Sequence, residues 1–128
     1  MIAYARATVA ADLGDNLGLP VHTTMPDRPH APLCYLTEAD PFITPEDGGP
    51  YGSWVAHFRA AVVIEPGNNA AMIADADAYA TRLLDLTARH DVTVRGYQTD
   101  TYAGSAYLIA PADITTRLTT PPDQEISL

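Results

Sequence analysis

The feature that most constrains the fold is a run of alternating side chains in residues 53–65. Trp54, Phe58 and other apolar side chains occupy every second position, with His57 and Arg59 between them. Alternation with a period of two is typical of a β-strand with one buried face. We therefore expect Trp54 and Phe58 in the core, and a second layer of structure must cover the face that they share.

Two segments predict helices that can form this layer. The first, residues 2–13, is alanine-rich and is followed by Gly14, which we expect to end the helix. The second, residues 69–89, has Asn68 and Asn69 at its start, and either asparagine can cap a helix. Both segments have apolar residues at helical spacing. In the second helix these positions are Met72, Ile73, Ala76, Ala80, Leu83 and Leu84.

Between the predicted helices, residues 15–32 and 40–52 are rich in turn formers. Residues 15–32 contain four prolines and predict an extended connector. In residues 33–38 successive side chains would point to opposite faces of a strand, and the segment is partly apolar and rich in strand-forming residues, so we expect a strand. Residues 40–52 combine three prolines with three glycines and predict an exposed loop.

The last third of the chain predicts a hairpin. Residues 92–97 and 102–110 have strand character, Thr99 and Asp100 are expected at the turn, and residues 114–118 can add another strand. The whole order implies an α+β class, an antiparallel or mixed β-sheet with two α-helices packed on it.

A chain of 128 residues matches one ordinary domain. We expect a single α+β domain in residues 1–120, with residues 121–128 as a flexible or partner-docked tail. The longest apolar run, residues 60–64, is far shorter than a membrane span, and residues 1–6 have no secretion-signal pattern. These features predict a soluble intracellular protein.

The charge is strongly acidic, because sixteen acidic residues outnumber seven basic ones and give a formal net charge of −9. All seven basic residues are arginines, and they are scattered singly. Nucleic-acid binding needs a concentrated basic patch, so DNA gripping is disfavoured. A polyanion could still pass along such a surface without adhering to it.

No familiar catalytic or metal-binding pattern is present. The four histidines lie in different predicted elements, without the spacing of zinc ligands. Cys34 is flanked by apolar residues, which favours a buried inert thiol. Residues 48–52 resemble a phosphate-binding loop only in glycine content. We expect no catalytic residue, no cofactor and no metal.

Residues beside predicted turns are the best candidates for contacts with partners. Large amphipathic aromatic rings often anchor protein interfaces, and exposed loops and chain ends supply further contacts. The candidate interface residues are Glu46, Asp47, Tyr51, Tyr102, Pro121 and Pro122.

Together, these patterns resemble the tail terminators of long-tailed bacteriophages. The segments that carry the likeness are residues 26–36, residues 53–65 with Pro66, Gly67 and Asn68, residues 69–89 and residues 92–110. The lysine-free, alanine-rich and arginine-containing composition also fits a high-GC genome, such as that of a phage of actinobacteria.

The resemblance implies a non-enzymatic virion protein at the neck of the tail, assembled in the host cytoplasm. It implies a homo-oligomer, a hexameric ring, that caps the tail-tube protein and contacts the head-completion protein. DNA would pass through the ring without specific binding, and neither a cofactor nor a membrane is implied. Ring closure requires two different complementary patches on each subunit.

Three alternatives remain open. One is another neck or minor tail protein, and a second is a small ferredoxin-like enzyme or ligand-binding module that uses His57 or Tyr102 as polar groups. The third is an adaptor in which residues 26–32 bind a partner domain as a polyproline helix.

Overall fold

The computed structural model describes residues 1–24, 30–47 and 52–119. Within this part the chain forms two α-helices, a short 3₁₀ helix and six β-strands. In chain order these are α1 (Ile2–Leu17), β1 (Val21–His22), β2 (Leu33–Pro45), β3 (Trp54–Val63), α2 (Asn69–Leu84), the 3₁₀ helix (Asp85–Ala88), β4 (Asp91–Val94), β5 (Gln98–Tyr102) and β6 (Ser105–Arg117).

The strands form one mixed sheet with the order β1-β2-β3-β6-β4, and β5 pairs with β6 beyond the end of β4. Only β1 and β2 are parallel, and the other pairs are antiparallel. The predicted α+β class, two helices packed on a mixed sheet, is confirmed.

The main core lies between the helices and one face of the sheet. Phe58 and its alternate neighbours on β3 are buried there against side chains of α1 and α2, including Val9, Leu13 and Leu83. A smaller apolar cluster lies on the opposite sheet face, around Val63. The alternation that predicted a half-buried β3 therefore identifies the face toward the helices correctly.

Helix α1 continues one turn beyond the predicted end. Gly14 remains helical, and the stop is Gly18, which adopts the left-handed conformation at φ 67°. The Gly18 N–H donates to the Gly14 carbonyl at 2.9 Å, a C-terminal cap that glycine forms without a Cβ penalty. The prediction of Gly14 as the stop is wrong.

Helix α2 begins where the sequence predicts. Asn68 is the N-cap, and its side chain accepts a hydrogen bond from the Ala71 N–H at 2.8 Å. The α-helix ends at Leu84, and the next turn is the 3₁₀ helix, so the regular helix is shorter than the predicted 69–89.

Strand β2 contradicts the loop predicted for residues 40–52, because it continues to Pro45. Its pairing with β3 is interrupted between Glu38 and Ile43, and Pro41 lies within this irregularity. Proline lacks an N–H and is tolerated at edge strands and bulges, which explains why Pro41 does not end the strand.

The final hairpin is formed by β5 and β6. Its turn is Ala103 and Gly104, both at positive φ, and not the predicted Thr99 and Asp100. Positive φ at both positions suits the twist of a two-residue hairpin. Residues 114–118, predicted as a further strand, are instead the end of β6 and Leu118 beyond it.

Pro111 lies inside β6, although this strand is in the middle of the sheet. Its carbonyl accepts the Arg95 N–H at 2.9 Å, so the backbone of residue 111 faces the gap between β4 and β5. The missing proline N–H therefore faces the end of β4, and the β3–β6 ladder loses no hydrogen bond.

Candidate assembly surfaces

Glu46, a predicted interface residue, is engaged within its own chain. Arg117 donates to both Glu46 carboxylate oxygens, with Nε lying 3.0 Å from each. The hydrogen bonds and charge of Glu46 raise the pKa of Arg117 above its ordinary value. The pair ties the end of β2 to the end of β6, so Glu46 offers a partner less free charge than expected.

The other predicted interface residues are dispersed. Asp47 is exposed next to Glu46, whereas Tyr102 is half-buried. The Tyr102 ring packs against Tyr107, with 6.1 Å between ring centroids, over the smaller apolar cluster. Burial and the neighbouring Asp100 raise the pKa of Tyr102 to about 12. Tyr51, Pro121 and Pro122 lie outside the described residues.

Trp54 is not a core residue, so its predicted burial is wrong. It is 43% exposed, whereas Phe58 on the same strand face is fully buried. Trp54 is the first residue of β3, and its carbonyl accepts the Leu118 N–H at 2.9 Å. Alternation assigns Trp54 to the correct face, but it cannot show that the face is exposed at this end of the strand.

His57 lies on the sheet face opposite the helices and uses both ring nitrogens within the chain. Hydrogen bonds join Nε2 to Thr44 Oγ1 at 2.7 Å and Nδ1 to Thr115 Oγ1 at 3.0 Å. These bonds connect β2, β3 and β6 across the sheet, which gives His57 a structural role.

A buried polar network that the sequence does not predict joins α1, β6 and the segment before β4. His90 Nε2 and Asp12 Oδ2 are 2.7 Å apart, and His90 Nδ1 lies 2.9 Å from Thr116 Oγ1. Arg89 donates to the other Asp12 oxygen at 2.9 Å. No local pattern connects residues this far apart in sequence, so sequence reasoning could not find the network.

The Cys34 thiol is buried, as predicted, and burial raises its pKa to about 12. In residues 1–24, 30–47 and 52–119, no group of three or more histidine, cysteine, aspartate or glutamate side chains is placed to hold a metal ion. The helices of the same part of the chain are too short or too polar to cross a membrane.

Every arginine in the described ranges already donates to an acceptor of the same chain. Five pair with carboxylates, and Arg82 donates to the Leu17 carbonyl at 3.0 Å. By contrast, Asp15, Asp75 and Asp85 are exposed and form no ion pair with the described residues. The exposed surface therefore holds unpaired carboxylates, whereas each described arginine has at least one acceptor within the chain.

Two exposed surfaces consist mainly of uncharged side chains. The first, the α1 outer face, consists of Ala3, Tyr4, Ala7 and Ala11, all exposed on the side of α1 away from the core. The second, the hairpin groove, has a volume of about 250 Å³ between α2 and the β5–β6 hairpin. It is lined by Asn69, Met72, Ile73, Thr99, Ala106, Tyr107 and Leu108.

No protein-family model and no curated protein sequence matches the chain. Its candidate surfaces are defined by its own side chains: the pair of Glu46 and Arg117, the exposed Trp54, the α1 outer face and the hairpin groove.

Proposed function

We propose that this chain is a tail terminator of a long-tailed phage, a virion subunit that forms a ring on the end of the tail tube. One contrast between interior and surface supports the proposal. Both ring nitrogens of His57 and of His90 are hydrogen-bonded inside the chain, while Trp54, Ile73 and Leu84 are 43%, 44% and 51% exposed. Large apolar groups at the surface suit contacts with other proteins.

The proposed mechanism is steric. A ring bound to the last layer of the tail tube occupies the surface on which the next tube subunits would add, so growth stops. The opposite side of the ring then meets the head-completion protein. These contacts are heterologous, and each requires a distinct patch on every subunit.

The charge distribution supports the passage of DNA through the ring. The chain carries −9, and the described arginines are dispersed and mostly paired with carboxylates of the same chain, so no concentrated basic patch is available to hold phosphates in the described residues. A ring of six such copies repels a polyanion on all sides and lets it move through without adhesion.

Light scattering and electron microscopy of the purified chain, alone and with tail-tube protein of the same phage, test the proposal. We expect six-membered rings, formed alone or on the tube, and binding to the tube end without any small molecule. A chain that stays monomeric in both conditions would refute the proposed function.

The alternative ligand-binding or enzyme function is favoured by one observation. A cleft of about 280 Å³ is lined by His90, Thr116, Arg89 and Arg117, among other residues, and the buried bond from His90 to Asp12 lies behind it. An Asp–His–Thr chain can activate a hydroxyl group in suitable surroundings. Ester hydrolysis that is lost in Thr116→Val, with the fold retained, would favour this alternative.

A further inference from the structure

We propose that residues 120–128 of one copy bind the open face of the next copy's sheet, with two carboxylates of that segment on two arginines. The open face is the sheet face opposite the helices, and its centre consists of His57 and Arg59 of β3 and Asp113 of β6. Residues 120–128 lie outside the described residues. The inference rests on the proposed ring and specifies a contact between its subunits.

Two guanidinium groups on the open face share one carboxylate and form the arginine cluster, which consists of Arg59, Asp113 and Arg95. Arg59 Nε donates to Asp113 Oδ1 at 3.2 Å, and Arg95 Nε donates to Oδ2 at 2.6 Å. The arginine side chains are 55% and 58% exposed. A guanidinium group has five N–H donors, and Arg59 donates to the described residues only through Nε. The cluster therefore has two positive charges against one negative charge, and donors remain for further carboxylates.

The segment 120–128 has the complementary charge. It contains Asp123 and Glu125 and no basic residue. Carboxylates bind guanidinium groups through charge-assisted hydrogen bonds. At an ionic strength of about 0.15 M the Debye length is about 8 Å, so repulsion between distant carboxylates of two acidic copies is screened, while ion pairs in contact persist. The two carboxylates of the segment thus match the two arginines in sign and in number.

Two prolines favour a path for the segment that leads away from its own sheet. Strand β6 ends at Arg117, and the Leu118 N–H still donates to the Trp54 carbonyl at 2.9 Å. A proline favours extended backbone in the residue before it, and Pro121 and Pro122 follow one another. A sharp reversal is therefore disfavoured at this point. The arginine cluster of the same copy lies about 13 Å back along β6, so the cluster of a neighbouring copy is the better partner.

The two sides of this contact are different parts of the subunit. The segment leaves from the end of β6, beside the first residue of β3, whereas Arg95 directly follows β4 at the edge of the sheet. A contact between two different patches is heterologous, and it repeats from copy to copy until a ring closes.

Charge reversal on either side tests the contact. The reversed face carries Arg59→Glu and Arg95→Glu. The reversed segment carries Asp123→Lys and Glu125→Lys. Each variant should weaken ring assembly about tenfold or more, because like charges then meet at the contact. Analytical ultracentrifugation measures assembly, under the condition in which the unmodified chain forms rings, and circular dichroism checks the fold.

Two control variants separate the contact from the overall charge. Asp75→Lys with Asp85→Lys changes the net charge as much as the reversed segment does, but at exposed positions of α2 and the 3₁₀ helix. Arg82→Glu reverses an exposed arginine of α2. Both controls should assemble like the unmodified chain. Equal losses in the controls and in the reversed variants would overturn the proposal, since net charge alone would then govern association.

Mixing the two reversed variants identifies the partner of the segment. The reversed face is complementary to the reversed segment, and each variant retains the unmodified form of the other side. An equal mixture should therefore restore rings in which the two variants alternate, although neither variant forms rings alone. A segment that binds its own sheet, or a different partner, gives no such rescue. A mixture that stays unassembled overturns the proposal.

Neutral variants replace the reversed face if that variant does not fold beside Asp113. Arg59→Gln with Arg95→Gln, and Asp123→Asn with Glu125→Gln, should each weaken assembly. All four changes together should weaken it no further than one pair, because both pairs remove the same contact, and additive losses would contradict it. Rings that persist in every variant refute only the contact, whereas an unmodified chain that forms no ring, alone or on the tube, refutes the proposed function as well.

Discussion

The side chains of Asp12 and His90 meet at 2.7 Å although they are separated by 78 positions in the sequence. The His90 side chain is 4% exposed and that of Asp12 is 10% exposed, so the bond is nearly shielded from water. It fixes α1 to the segment between α2 and β4, and Thr116 extends the connection to β6.

Asp12→Ala should lower the free energy of unfolding by about 2–3 kcal/mol, because it leaves a buried imidazole nitrogen and Arg89 without their acceptor. Asp15→Ala, on the exposed side of the same helix, should change stability by less than about 0.5 kcal/mol. Urea denaturation measures both. Equal effects of the two substitutions would show that the network does not stabilise the fold.

Phe58→Ala should cost about 3–5 kcal/mol, since it empties a fully buried site where the ring packs edge-on against Phe42, with 5.4 Å between centroids. Trp54→Ala removes a larger side chain but should cost less than half as much in the monomer, because Trp54 is 43% exposed. Thermal and urea unfolding compare the two variants, and a reversed order would contradict the exposed position of Trp54.

Asp113 makes stability depend on pH. Burial alone would raise its pKa, but hydrogen bonds and charge from Arg95 and Arg59 hold it below the ordinary value. A lowered folded-state pKa stabilises the fold above the unfolded-state pKa near 4, and this contribution disappears as pH falls through the folded value. Asp113→Asn should therefore cost about 1 kcal/mol at pH 7 and progressively less below about pH 4.

Denaturant unfolding at several pH values measures this effect. Asp40→Asn is the control, because Asp40 is exposed and has no ion pair among the described residues. A stability difference for Asp113→Asn that stays constant down to pH 2 would contradict the assigned role of the two arginines.

Cys34 should be unreactive in the folded chain. Burial raises the pKa of its thiol to about 12, so almost no thiolate forms at pH 8 and reagents cannot reach the sulfur. A chromogenic disulfide reagent should label Cys34 in about 6 M urea but not in buffer. Rapid labelling of the native chain would show that β2 opens locally.

The sequence predicted the elements whose signals are local. Alternation identified β3, and helical spacing with an asparagine cap identified α2, because each pattern reflects one face buried against the core. Predictions failed where the deciding partner lies elsewhere in the chain. Pro41 is typical of a loop in the sequence. In the structure, β2 continues past Pro41 because the pairing with β3 is already interrupted at this point.

The functional surfaces were less predictable for the same reason. A single sequence shows that Glu46 is acidic, but only the fold brings Arg117 to its side chain. The network of Asp12, His90 and Thr116 joins three distant segments. The hairpin groove also depends on how α2 and the β5–β6 hairpin pack.

Two adjacent threonines of β6 contact histidines on opposite sides of the sheet, Thr115 with His57 and Thr116 with His90. Neighbouring side chains of a strand always point to opposite faces, so sliding β6 by one residue would put Ile114 beside His57 or Arg117 beside His90. Only one alignment gives each imidazole a hydroxyl group. The Thr–Thr pair thus discriminates against misaligned pairing of the central strand during folding.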